Sequence, residues 1–233
     1  MKKTILGTVL LSAVVLSAGV VNTYAATEHD SYDSNVEVRI NEGGTIVVPG
    51  PYKDKLSLVY VPDVFKFTGS ETTGALELKN ENANKEKSFI VVNDDRKDED
   101  GKRVGGDWKV TGKLSALEAG NEKLPAKMSI VPGDITKYDI GDLVNKSDGT
   151  IDFAPKAIGT DRVDIGNAGF VVKPFVMDAN GDAVEFFTAT AAAAEAEAGA
   201  KTSLGDATLD IATGKAVAGS YIGKVTWTLT SSK

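Results

Sequence analysis

The chain has no cysteine and a single histidine among its 233 residues. Thiol catalysis, thiolate metal sites and disulfide scaffolds are therefore excluded. His29 has no histidine partner, so an HExxH-type zinc site is excluded as well. It sits in the polar stretch EHDSYDSN, where a solvated position is the expectation. No nucleophile elbow, P-loop or glycine-rich dinucleotide fingerprint occurs, and no motif points to a cofactor. Carboxylates are plentiful, but no pair is set apart in the way a glycosidase pair would be, so a non-enzymatic role is expected.

Apolar runs of membrane-span length are missing too, with one borderline case at the start. Lys2 and Lys3 precede an uncharged apolar run from Ile5 to Val21, and Thr23-Tyr24-Ala25 places small residues at both positions a signal peptidase reads. The run of about 17 residues is at the short limit for a span and leads straight into a cleavage-type site. Residues 1–25 are thus expected to be a secretory signal peptide, and 26–233 one mature domain. Removing Lys2 and Lys3 takes the formal net charge from −7 to −9. An acidic protein is repelled by nucleic acid, so no nucleic-acid partner is expected. A disulfide-free exported chain fits a Gram-positive exterior. No sorting sequence or second apolar segment follows, so retention at the cell would be non-covalent. Against an anionic wall polymer, that attachment should rest on shape and stacking rather than on overall charge.

What the mature chain has is β-branched residues in short runs. NVEVRI alternates Val36, Val38 and Ile40 against polar residues, after a stretch, 26–34, expected to fray. GGTIVVPGP reads as a strand closed by Pro49 and Pro51. LSLVYVPDVFKF places Leu56, Leu58 and Tyr60 on one face, and SFIVVND is a continuous run of buried-strand type. IDFAP, FVVKPFVMD and AVEFFTA follow, with Asp148-Gly149 and Asn180-Gly181 as hairpin signals. TATAAAAEAEAGAK, residues 188–201, suits a short helix with Glu197 and Lys201 as an i,i+4 pair. The fold class expected is an all-β antiparallel sandwich, Ig-like, with long loops and that short Ala-rich helix.

Two segments share one grammar. Trp108, Val110, Gly112 and Leu114 lie on one face of a strand opposite Lys109, Thr111 and Lys113. Tyr221, Gly223, Val225, Trp227 and Leu229 do the same opposite Ile222, Lys224, Thr226, Thr228 and Thr230. Each tryptophan has two readings: packing between sheets, or exposed stacking on sugar rings. The shared apolar face favours the core, where burial would stabilise by on the order of 2–3 kcal/mol each.

AGSYIGKVTWTLTSSK, with Gly219, Tyr221, Val225, Thr226, Trp227 and Leu229, resembles the ending of the WxL-domain surface proteins of low-GC Gram-positive bacteria. FIVVNDDRKDEDGKRVGGDWKVTGKLSAL is similar to that family's strand, D-x-R loop and first W-x-L segment, with Val110 where the motif has leucine. LSLVYVPDVFKFTG resembles its N-terminal segment. The resemblance spans essentially all of 26–233. It implies a secreted β-sandwich, associated with the cell wall through peptidoglycan. Partners implied are membrane-anchored or wall-anchored surface proteins of the same system and host matrix proteins. It marks Trp108, Val110, Leu114, Tyr221, Val225, Thr226, Trp227 and Leu229 as the wall-binding or family-motif residues. An adhesin whose main ligand is a host extracellular-matrix protein is the alternative.

The acidic loop from Asp94 to Asp107 suggests calcium. Registered on Gly101, Asp98, Asp100 and Asp107 fall at ligand offsets, but Arg96 occupies the first position and defeats the pattern. A solvated, mobile loop is expected there.

Overall fold

A computed structural model describes residues 45–69, 74–81, 88–159, 163–166, 168–215 and 219–231, and the backbone of 29–37. The expected signal peptide lies outside the described residues, as do Val38 and Ile40. Among the described residues nineteen strands and one helix follow in order. The first six are β1 His29–Glu37, β2 Thr45–Val47, β3 Leu56–Pro62, β4 Val64–Phe65, β5 Leu76–Lys79 and β6 Phe89–Asp94. Next come β7 Trp108–Leu114, β8 Leu117–Ala119, β9 Glu122–Leu124, β10 Ala126–Val131, β11 Thr136–Lys137, β12 Leu143–Asn145 and β13 Ile151–Phe153. The chain closes with β14 Phe170–Val172, β15 Phe175–Asp178, β16 Val184–Ala189, α1 Ala191–Ala196, β17 Gly199–Ser203, β18 Asp206–Ile211 and β19 Ile222–Ser231.

The strands form three main sheets, nearly all antiparallel, consistent with an all-β sandwich. One runs β14-β16-β7-β19-β1-β4 and holds both tryptophan strands side by side; the others run β15-β10-β18-β5 and β11-β17-β6-β3-β2. β12 and β13 make a separate hairpin. A main apolar cluster draws on all three sheets, including Leu58, Ile90, Val110, Met128, Leu209 and Trp227. A smaller cluster of Tyr52, Val59, Tyr60, Val91, Tyr138 and Ile140 lies on the reverse of the β6 sheet.

That second cluster explains why FIVV is a continuous apolar run. Alternation sends Ile90 and Val92 to the main core and Val91 to the other side, so both faces of β6 are covered. β3 is likewise buried throughout. Here the expected face needs correcting, because a bulge between Leu58 and Tyr60 shifts the register. Leu56 and Leu58 join the main core and Tyr60 the reverse cluster. A second bulge between Glu185 and Phe187 turns two consecutive phenylalanines, Phe186 and Phe187, into the core.

Three further expectations change. Residues His29 to Ser34 do not fray; their backbone pairs with β19 from Thr230 to Val225. Asp148-Gly149 does join a hairpin, with Gly149 at φ 84°. Asn180-Gly181 makes a turn, with Asn180 at φ 62°, but β15 and β16 belong to different sheets, so it is a corner rather than a hairpin. The Ala-rich helix forms over six residues, N-capped by Thr190, whose hydroxyl accepts from the Ala193 N–H. Glu197 ends it and pairs with Lys137 at 2.6 Å, while Lys201 lies in β17 and donates to the Gly159 carbonyl. The i,i+4 pair therefore does not exist, since the helix stops before it.

Candidate functional site

The motif residues come together, facing inward. β7 and β19 pair antiparallel, with Trp227 opposite Gly112, Leu229 opposite Val110 and Ser231 opposite Trp108. Trp227 is fully buried, and Trp108, Val110, Leu114, Tyr221, Val225 and Leu229 are buried beside it. Thr226 points to the other face and is half-buried. Trp227 packs against Phe65, Phe175 and Phe186 with ring centroids 6.4, 6.5 and 5.6 Å away. Trp108 meets Phe187 edge-on at 5.0 Å and Phe170 at 6.0 Å. A Cβ on Gly112 would lie 2.9 Å from the Trp227 ring and 3.0 Å from the Met177 sulfur. The glycine opens the recess that the indole fills.

The charged loop is anchored where sequence reasoning expected solvent. Arg96 grips Asp94 in two parallel bonds of 2.8 and 2.6 Å. It also donates to the Ser231 hydroxyl at 2.6 Å and the Gly106 carbonyl at 3.1 Å. Asp94, Arg96 and Ser231 are all buried. Ser231 in turn donates to the Asp107 carbonyl. This network ties the end of the last strand to the start of the first tryptophan strand. Gly105 backs directly onto the Ala191 carbonyl, and Asp107 accepts from the Ala191 N–H at 2.7 Å. Asp98 closes the loop tip by accepting from the Lys102 N–H at 2.8 Å. Asp98 and Asp107 are thus spent on turn and helix capping. Among the described residues no group of three or more His, Asp or Glu side chains is placed to hold a metal ion. The one signal of the clamp in the sequence was D-x-R itself.

The outer face of the same sheet is accessible. Lys109, Lys113, Lys224 and Ile222 are exposed there, and Thr111, Thr226, Thr228 and Thr230 are half-buried. The register sets Ser31 opposite Thr228, Asp33 opposite Thr226 and Asn35 opposite Lys224. A groove of about 520 Å³ lies at one end of this face, lined by Lys109, Val171, Glu185, Thr188 and Thr230. Lys109 and Glu185 pair across it at 3.3 Å. Among the described residues the Thr230 hydroxyl has no partner.

A second cavity, of about 410 Å³, opens on the reverse of the β6 sheet. Residues 137–141 and Phe153 form one wall, the end of α1 another, and Asn93 and Arg103 line it. Tyr60 and Tyr138 meet edge-on at 6.1 Å, and both hydroxyls donate to the Lys156 carbonyl. Burial, with the Tyr60 phenol beside it, pushes the Tyr138 phenol far above its ordinary range, so it stays protonated. Asn93 is buried, yet neither atom of its amide has a partner among the described residues. The Arg103 Nε is also unpartnered. Leaving a buried polar group unpaired costs about 1–3 kcal/mol. Nearby, Asp152 ties the β12–β13 hairpin to the backbone at Tyr52 and Lys53. Burial would raise its pKa, but the Lys146 ammonium at 2.5 Å and the N–H groups of Tyr52, Lys53 and Phe153 outweigh that and hold it below the usual 3.8.

No family model matches the chain, and no curated protein matches it. Among the described residues no helix is long and apolar enough to cross a membrane.

Proposed function

We propose that the chain is a secreted, non-enzymatic surface module that attaches non-covalently to the Gram-positive wall and assembles with other surface proteins. The observation that carries this reading is convergence. The three segments that resemble the WxL family are far apart in the sequence, and they meet in one structural unit. Phe65 packs on Trp227, the Asp94–Arg96 pair grips Ser231, and Trp108 pairs with Ser231 across the ladder. In this reading the motif builds the fold, and the contact lies on the outer face of the tryptophan sheet. Its threonine hydroxyls and exposed lysines suit a polymer rich in hydroxyl and acidic groups. The local lysines also offset the overall charge of the secreted chain, −9 once Lys2 and Lys3 are removed from −7, where contact would occur.

The test is co-sedimentation of the purified protein with peptidoglycan across a series of salt concentrations. Saturable binding is expected, weakening with salt to the extent that the lysines contribute. Failure to co-sediment at any salt would remove the reading. Saturable binding to a matrix protein with no wall present is what an adhesin predicts instead, and release of soluble muropeptides would mean an enzyme.

A further inference from the structure

We propose that the cavity behind the β6 sheet binds a small ligand that presents a secondary amide beside a carboxylate. Asn93 is placed there by strand alternation: Ile90 and Val92 face the main core, so Val91 and Asn93 face the reverse cluster. Val59, Tyr60 and Val91 cover this face, and Ser57, opposite Asn93 in the ladder, donates its hydroxyl to the Pro51 carbonyl. An asparagine whose carbonyl and amino groups both lack partners among the described residues is a cost the fold could have avoided with leucine. A secondary amide is its complement, one donor and one acceptor side by side.

The charges around the cavity select the second group. Lys137 is paired with Glu197 at 2.6 Å, Asp139 with Lys156 at 3.0 Å and Asp95 with Lys97 at 3.1 Å. Arg103 lines the same cavity with no ion pair among the described residues, and its Nε is unpartnered. A guanidinium with no ion-pair partner among the described residues is suited to a carboxylate. Tyr138 and Phe153 supply aromatic surface for the ligand's apolar part. The volume of about 410 Å³ lies within the range of small-molecule sites.

Two sources carry this chemistry: the C-terminal unit of a short peptide, and an N-acetylated sugar acid. Both occur in bacterial wall, so the choice of probes rests on the wall reading, although the cavity does not. The experiment is calorimetric titration of the full chain with N-acetyl-D-alanyl-D-alanine and with N-acetylmuramic acid. The C-terminal amide of the dipeptide and N-acetylglucosamine are the uncharged controls. Saturable binding of one acid is expected, and which one identifies the source. Arg103→Gln should weaken that acid at least about tenfold and leave its uncharged control unchanged. Asn93→Leu should abolish binding of both while the melting temperature holds or rises. Should that variant fail to fold, the half-buried Arg103→Gln still decides the matter. No saturable binding of either acid, binding unchanged in both variants, or a crystal structure with only water on Asn93 at saturating probe would overturn the proposal. Sedimentation with whole wall is a separate readout. Its loss with probe binding intact removes the wall reading and leaves the cavity's ligand standing.

Discussion

The two buried clusters on either side of β6 are built differently. The main core is closed and apolar, with Trp227, Phe65, Phe186 and Phe187 all buried to within 1% of complete. The reverse cluster has three tyrosines and is bordered by polar groups: the Asp152 carboxylate, held by four donors, and Asn93, whose amide has no partner among the described residues. The first maximises burial. The second accepts the cost of unpaired groups around a cavity. Under the proposed ligand reading, stability and recognition are assigned to different places.

The largest break in this contrast should come from the core. Trp227→Ala is expected to cost about 3–5 kcal/mol, read by chemical denaturation, because the recess over Gly112 cannot collapse around a methyl group. Next is the clamp. Arg96→Leu should cost about 3 kcal/mol, since it leaves the Asp94 carboxylate buried and unpaired and frees the end of β19. In the β12–β13 hairpin, Asp152→Asn should cost about 2 kcal/mol at neutral pH. Its sign with pH is fixed by the lowered pKa. The stabilisation is present above the unfolded value of 3.8 and is lost as pH falls through the lower folded value. The gap between variant and parent, measured by urea unfolding, should therefore close below pH 3.8. Smallest is Thr228→Ala on the outer face, expected to change stability by less than about 0.5 kcal/mol.

The strands that cover one face were the most legible in the sequence. β7 and β19 alternate in burial along their whole length, as the Trp108 and Trp227 segments predict. Strands covered on both faces were harder. β3 carries no alternation to read, and its bulge moves Tyr60 to the opposite side. The Asn180-Gly181 turn was legible, but its partner sheet was not, because local turn chemistry does not say which strands pair. The clamp of Asp94, Arg96 and Ser231 joins residues 135 positions apart, so loop composition alone read it as solvated. Asn93 sits in SFIVVND, which the sequence marks only as a run of buried-strand type. Only the cover supplied by residues 138–158 makes its burial, and so its orphaned amide, visible.

The central claim is that the tryptophans hold the fold while contact lies on other faces. Its most direct test is co-sedimentation with peptidoglycan of Trp227→Phe and of a Lys113→Glu/Lys224→Glu pair, each beside its melting temperature. The account predicts that Trp227→Phe melts lower yet sediments with wall like the parent below its transition. The lysine pair should keep the parent's melting temperature and lose wall binding. A Trp227→Phe protein that is folded and no longer binds, beside a lysine pair that binds normally, would contradict it.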